Sequence, residues 1–319
     1  MAQETRTKVR TPGAGLAAKR RLIWLKRDWQ LYLLLLLPVA FVLLFKYAAY
    51  PGLRIAFMDF KPAKGFSSQW VGFDMFAKIF KDADFLRALK NSLAFNFLDL
   101  AVGFPIPVLL AILLNELRFN RFKRISQTVL YLPHFLSWVI VASVAYTLLK
   151  PETGLVNVLL RQAGAIDSGI PFLTEKWHWA ATYLLVAVWQ NMGWGTIIYL
   201  AAITGINSEL YEAATIDGAT RLRKIWHVTL PGIRATIVTL LIMNLGRIMG
   251  SNFERLSAFG NVQVKEFQYQ LAIYIYEKGL AGNNFSKATA VGLFQSLLGF
   301  VMVLAADRVA KGLGENGLI

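Results

Sequence analysis

Seven residues with groups that could do chemistry sit in strongly apolar surroundings: Asp99, Trp189, Gln190, Asn191, Trp194, Asn244 and Arg247. Carboxamides and a guanidinium can hydrogen-bond hydroxyls or a carboxylate, and an indole can stack on the apolar face of a sugar ring. Such groups are costly inside a membrane and often functional there. Two readings stay open. In one, Gln190, Asn191, Asn244 and Arg247 bind sugar hydroxyls or a uronate carboxylate, with Trp189 or Trp194 stacked on the ring. In the other, Arg247 pairs with Asp99 and the amides join helices. Gly246 and Gly250 have the Gly-x-x-x-Gly spacing of close helix packing.

Other chemistry is absent from the sequence. There are no cysteines, which removes disulfides, thiol catalysis and cysteine metal sites. His134, His178 and His227 lie in separate segments, so no metal site is expected. No nucleophile elbow or triad spacing stands out, and no catalytic residue is assigned. No Gly-x-x-x-x-Gly-Lys-Ser/Thr loop occurs, so the chain cannot hydrolyse ATP by that route.

The elements that must position the seven residues are membrane spans. The 319 residues are 56% hydrophobic, above the usual soluble range, with mean hydropathy +0.47. The apolar residues gather in long runs, and a helix alone satisfies its backbone in hydrocarbon. An all-α integral membrane protein is expected, with spans near 31–57, 88–116, 126–149, 178–205, 232–252 and 287–309. Pro38 and Pro51 are placed to bend the first, and Gly103, Pro105 and Pro107 to break the second near Asp99. Counting from the span ends puts Asp99, Asn191, Asn244 and Arg247 near one depth. The basic residues before 31 precede a run with no cleavage site, so that run is read as a retained span.

The net charge of +15 is a topology signal rather than a nucleic-acid footprint. Arg6, Lys8, Arg10, Lys19, Arg20, Arg21, Lys26 and Arg27 precede the first span, and Arg118, Arg121, Lys123, Arg124, Arg221, Arg223, Lys224, Arg308 and Lys311 fall in alternate connections. The remaining loops, 58–87, 150–177 and 253–286, are balanced by acids. Both termini are therefore expected in the cytoplasm. Residues 1–30 read as a basic tail whose first 20 are mobile, 31–309 as the membrane domain, and 310–319 as a C-terminal tail. Trp24, Trp29, Tyr32, Trp177, Trp179 and Tyr183 read as interfacial anchors. The loops at 150–177 and 253–286 are expected to form short external helices and turns.

The connection at 206–231 is the most informative. Ser208 is placed to cap a short helix, Gly218 to permit a tight turn, Thr220–His227 to form a second helix, and Pro231 to mark entry into the next span. A surface helix pair with small and apolar residues can seat in a partner's groove. Glu212-Ala213-Ala214, then Asp217-Gly218-Ala219, then Val228-x-Leu230-Pro231 resembles the signature loop of permeases in binding-protein-dependent ABC importers, with Val228 where isoleucine is usual.

That resemblance implies the type I importer permease fold in a bacterial cytoplasmic membrane. It implies that Glu212, Ala213, Ala214, Asp217 and Gly218 contact an ATP-binding cassette ATPase dimer, which would hold ATP and Mg; this chain would bind no cofactor. It also implies a second six-helix permease chain and a soluble substrate-binding protein. Trp29-Gln30-Leu31-Tyr32-Leu33, Trp70-Val71-Gly72-Phe73, the run Trp189–Ile203 and Asn252-Phe253-Glu254 are similar to the complex-oligosaccharide branch, with uronate importers such as the alginate permease among them. An ABC permease for another small solute remains an alternative, as do an ion-gradient carrier and a membrane enzyme. The carrier would need an intramembrane acid site and the enzyme an interfacial acid cluster, and neither is evident.

Overall fold

The computed structural model describes residues 27–250, 252–315 and 317. The expected mobile tail, its basic residues as far as Lys26, and Trp24 lie outside the described residues. The chain divides into two units, 1–54 and 55–319.

In the first unit, helix α1 (Trp29–Val42) keeps Pro38 within it. A π turn over Leu43–Tyr47 follows, and a 3-10 stretch begins at Tyr50, ahead of Pro51. Proline removes one backbone donor, and looser turns absorb such a loss. Trp29 and Tyr32 are exposed, as is the whole of α1.

The second unit begins with a two-residue antiparallel ribbon, β1 (Met58–Asp59) with β2 (Gln69–Trp70), and is otherwise helical. Short helix α2 (Asp74–Phe80) leads to α3 (Ala83–Gly103), capped by the Asp82 side chain on the Asp84 N–H. Only Phe104 separates α3 from α4 (Pro105–Asn115), and the two form one 33-residue apolar stretch. Helix α5 (Asn120–Tyr131) and α6 (Trp138–Leu149) follow, then α7 (Leu155–Gln162) and the long α8 (Lys176–Thr204).

Among the described residues five helical stretches are long and apolar enough to cross a membrane: Trp29–Phe57, Ala83–Asn115, Lys176–Thr204, Arg221–Gly246 and Phe285–Gly312. The expected third span is different. It is a pair, Asn120–Phe135 and Trp138–Leu149, bent by 102°. Pro133 sits in a 3-10 turn at Leu132–Phe135, and Ser137 caps the new helix by accepting from the Ile140 N–H at 3.4 Å. Hydropathy does not register this break, because the apolar run continues across it from the end of the amphipathic first arm into the apolar second.

In the 206–231 connection, helix α9 (Ser208–Ile216) is capped by Asn207 rather than Ser208; the Asn207 Oδ1 accepts from the Glu209 N–H at 3.1 Å. Gly218 turns the chain at φ +72°, a conformation that L side chains rarely adopt. Thr220 caps α10 (Arg221–Lys224). Pro231 stands in the first turn of α11 (Leu230–Gly246), as expected, but no break precedes it: α10 runs through a π turn, Ile225–Thr229, directly into α11. The π turn takes the Leu230 N–H back to the Ile225 carbonyl, which lets the helix pass a proline near its start.

The 253–286 segment forms short helices and turns, as expected, but part of it packs into the bundle. Helix α12 (Phe253–Phe259) buries Arg255, Leu256 and Phe259 in the bundle. Short helices α13 (Lys265–Gln268) and α14 (Leu271–Tyr274) and a π turn at Ile275–Ala281 lead to α15 (Phe285–Gly312). Between helices in lipid, packing and hydrogen bonds outweigh hydrophobic transfer. Polar clamps accordingly hold 248–271 in place: Asn96 Nδ2 donates to the Ile248 carbonyl at 2.6 Å, Gln295 Nε2 to that of Met249 at 2.8 Å, and Ser92 Oγ accepts from the Leu271 N–H at 2.9 Å. Trp179 and Tyr183 are buried, not interfacial; they stack on each other, and the Trp179 indole donates to the Phe259 carbonyl at 2.9 Å.

Helices α11 and α15 cross at glycines. A Cβ on Gly299 would lie 2.5 Å from the Gly246 carbonyl oxygen. Gly246 thus serves close helix packing, as its spacing suggested, against Gly299 of the opposite helix, while Gly250 lies past the end of α11.

Candidate functional site

A cleft of about 540 Å³, largely apolar with a few polar and charged groups, opens among α3, α4, α8, α11 and the chain that follows α11. Proline and glycine shape its wall: Gly103, Pro107 and Gly195 line it where α4 packs on α8. Five of the seven sequence candidates reach it: Asp99, Asn191, Trp194, Asn244 and Arg247.

The amides are braced by their own helices. Asn191 Nδ2 donates to the Ala187 carbonyl at 2.9 Å, and Asn244 Nδ2 to that of Leu240 at 2.7 Å. Each amide still has an acceptor oxygen for a ligand hydroxyl. The Trp194 indole stacks on His134 at 4.7 Å and 9°, so its ring plane is set by the turn that breaks the third span.

Gln190 and Trp189 do not line the cleft. Gln190 is buried, and its Nε2 donates to the Leu136 carbonyl at 2.9 Å, just past the broken turn. It ties α8 to α6. Trp189 is exposed away from the cleft lining.

Asp99 does not pair with Arg247. Its partner is Arg255 of α12, whose Nη2 donates to Oδ2 and Nη1 to Oδ1, the latter at 3.4 Å. The reason lies in the backbone. Helix α11 ends at Gly246, Arg247 is its cap residue, and the returning chain brings α12 back beside Asp99. Arg255 is also held by rings, 4.1 Å from the Tyr183 centroid and 5.6 Å from that of Trp138. Arg247 is exposed to the cleft and has no ion-pair partner among the described residues. The ionised groups of the cleft wall are therefore Asp99, Arg247 and Arg255, one negative charge against two positive.

Arg255 was not among the candidates read from the sequence. A signal existed: Asn252 is a helix cap, with its Oδ1 accepting from the Arg255 N–H at 3.0 Å. Arg255, Leu256 and Phe259 then fall on one helical face, and an arginine on an apolar face needs a counter-ion.

At the other end of α8 and α11, the helix pair of the 206–231 loop presents Glu212, Ala213, Asp217 and Gly218 exposed, with Ala214 half-buried. Apolar Leu210, Ile216 and Leu222 are exposed beside them. The pair is braced from within. Tyr211 Oη and Thr229 Oγ1 are hydrogen-bonded at 3.0 Å, and Lys224 Nζ donates to Thr215 Oγ1 at 2.7 Å. Helix α10, the π turn and α11 form one continuous helical stretch from Arg221 to Gly246, which carries Asn244 near its far end.

Comparison with known proteins agrees with this layout. The chain is 44% identical over 301 residues to the polygalacturonan/rhamnogalacturonan transport system permease protein YteP of Bacillus subtilis (strain 168), covering 94% of this chain and 93% of that protein. It is 40% identical to protein LplB of the same organism over 95% of this chain and 96% of that protein. A chain in the crystal structure of a bacterial alginate ABC transporter, in complex with alginate pentasaccharide-bound periplasmic protein, superposes with a TM-score of 0.82 at 39% identity, covering 92% of this chain and 99% of that one. Residues 103–315 match the family described as the binding-protein-dependent transport system inner membrane component. The chain is a multi-pass inner-membrane permease belonging to that family, and not an enzyme.

Proposed function

We propose that this chain forms half of the pathway by which an ATP-driven importer moves an acidic oligosaccharide into the cytoplasm. One observation carries the reading: the cleft has an excess positive charge, because Asp99 is committed to Arg255 and Arg247 is left open to the cavity. A guanidinium in a partly dry cavity favours a carboxylate. Asn191 and Asn244 supply hydroxyl partners, and the braced face of Trp194 supplies a sugar platform. The relatives named for polygalacturonan/rhamnogalacturonan and alginate, both acidic polymers, support the same substrate class.

The rest of the machine follows from this arrangement. A second six-helix permease chain completes the pathway. A soluble binding protein delivers the oligosaccharide, and two ATPase subunits hold ATP and Mg. Glu212, Ala213, Ala214, Asp217 and Gly218 seat in the ATPase, with both termini of this chain in the cytoplasm. ATP-driven closure displaces α9, and the continuous α10–α11 rod carries that motion to the cleft, giving alternating access around a central site. A gradient-driven carrier is disfavoured, because the one carboxylate on the cleft wall is already tied to an arginine.

The test is Arg247→Ala, with uptake of an oligouronide compared with that of its carboxyl-reduced counterpart. Acidic uptake is expected to fall about tenfold, the value of one charge-assisted contact, with neutral uptake and complex assembly retained. Wild-type uptake of the acidic sugar rejects Arg247 as a substrate ligand.

A further inference from the structure

We infer that Asp99 is a built-in stand-in for the substrate carboxylate: it occupies Arg255 when the cleft is empty and yields that guanidinium to a carboxylate of the arriving solute. The inference rests on the acidic-oligosaccharide reading and adds a second carboxylate receptor, and a competitor for it, to the pathway.

Three observations carry it. First, the two halves of the pair are unequal. The Arg255 side chain is 9% exposed and that of Asp99 26%, and both line the cleft. Asp99 is thus the half that water or solute can replace. Second, the pair is not saturated. Nη1 reaches Oδ1 at only 3.4 Å, and the buried Nε has no hydrogen-bond partner among the described residues. A buried guanidinium normally satisfies its donors; Nε is sealed from the cleft, so the room for a better acceptor lies at the loosely held Nη1. Third, the guanidinium has support independent of Asp99. It lies over the Tyr183 ring at 4.1 Å and near Trp138, contacts that do not involve the carboxylate.

The arrangement addresses a requirement of transport. A cleft with two open arginines would hold a polyanion too tightly to release it. A tethered carboxylate competes with the carboxylate of the substrate, lowering affinity for the anion and easing its release. Asp99 comes from α3 and Arg255 from α12, 156 residues apart, so exchange of partners also loosens one cross-link between these elements. Asp99 and Arg255 act here as specificity-determining residues.

The test is equilibrium dialysis on the whole transporter, purified from its membrane, without binding protein. The probes are a trigalacturonate and the same trisaccharide with its carboxyls reduced. Wild type is expected to prefer the acidic probe. Asp99→Asn removes the competitor and is expected to bind it about tenfold more tightly, with neutral binding within about twofold. Arg255→Gln leaves Asp99 unneutralised and is expected to weaken acidic binding about tenfold with the same neutral control. Should Asp99→Asn fail to assemble, Arg255→Gln reads the pair from its other side. A merely structural pair would shift both probes alike. Unchanged or weaker acidic binding in Asp99→Asn, or unchanged acidic binding in Arg255→Gln, overturns the inference. Absence of acidic preference in wild type overturns the acidic-substrate reading itself, and the two failures are thereby distinguished.

Discussion

Replacing Gln190 by leucine separates a brace from a ligand. The Gln190 Nε2 donates at 2.9 Å to the Leu136 carbonyl, and the residue is 4% exposed. Leucine is similar in size, so little cavity is left and the main loss is that hydrogen bond. Water has poor access to take its place. An unmet buried carbonyl costs about 1–3 kcal/mol, and the weaker contact from Asn191 Nδ2 to Gln190 Oε1 at 3.3 Å is lost as well. We expect Gln190→Leu to destabilise the chain by about 2 kcal/mol. The affected element is the 102° turn that carries His134, the residue stacked on Trp194. The assay is reversible unfolding of the purified protein in detergent, followed by tryptophan fluorescence, with uptake measured in parallel. Residual uptake should fall equally for acidic and neutral sugars. Full stability with a selective loss of one substrate would refute the assignment of Gln190 as a brace and return it to the pathway.

Two further outcomes follow from the geometry. At α3, burial alone would raise the Asp82 carboxyl, but hydrogen bonds from Tyr274 at 2.8 Å and Lys287 at 3.0 Å, the Lys287 charge and the Asp84 N–H hold it below its ordinary value. A depressed carboxyl stabilises the fold fully above its unfolded pKa of about 3.9 and loses that contribution as pH falls through the folded value; unfolding at pH 5 and pH 3 should show this acid loss in wild type and not in Asp82→Asn. At the α11–α15 crossing, Gly299→Leu puts a side chain where its Cβ already lies 2.5 Å from the Gly246 carbonyl oxygen, and overpacking of this kind costs about 1–3 kcal/mol or more; loss of assembled protein from the membrane fraction, against retention for Gly312→Ala at an open position, checks it.

The spans were legible because hydrocarbon demands long apolar helices, and that demand is written directly in composition. The loop at 206–231 was legible for a different reason: the Gly218 turn and the two short helices rest on local backbone needs that depend on residue type, although the first cap is Asn207, one residue before the expected Ser208. What escaped were features set by tertiary packing. The break at Leu132–Phe135 left hydropathy unchanged, and only Pro133 with Ser137 marked it. Arg247 looked like the partner of Asp99 because depth was counted along straight spans. Helix α11 instead stops at Gly246, and the returning α12 supplies Arg255 from a segment that reads as a loop. Trp179 and Tyr183 looked interfacial for the same reason, since nothing local indicates that α12 covers them. Gln190 and Asn191 are chemically alike neighbours on α8, yet successive helical positions face different ways. One braces α6 and the other lines the cleft.

The central claim is that this chain carries an acidic oligosaccharide at the expense of ATP. The most direct measurement is uptake of a labelled oligouronide into vesicles reconstituted with the transporter purified through this chain, with and without ATP and binding protein. An ATPase and a second six-helix chain are expected to co-purify, and uptake is expected to need ATP and to be stopped by vanadate. Uptake by this chain alone, without ATP and responsive to an ion gradient, would contradict it.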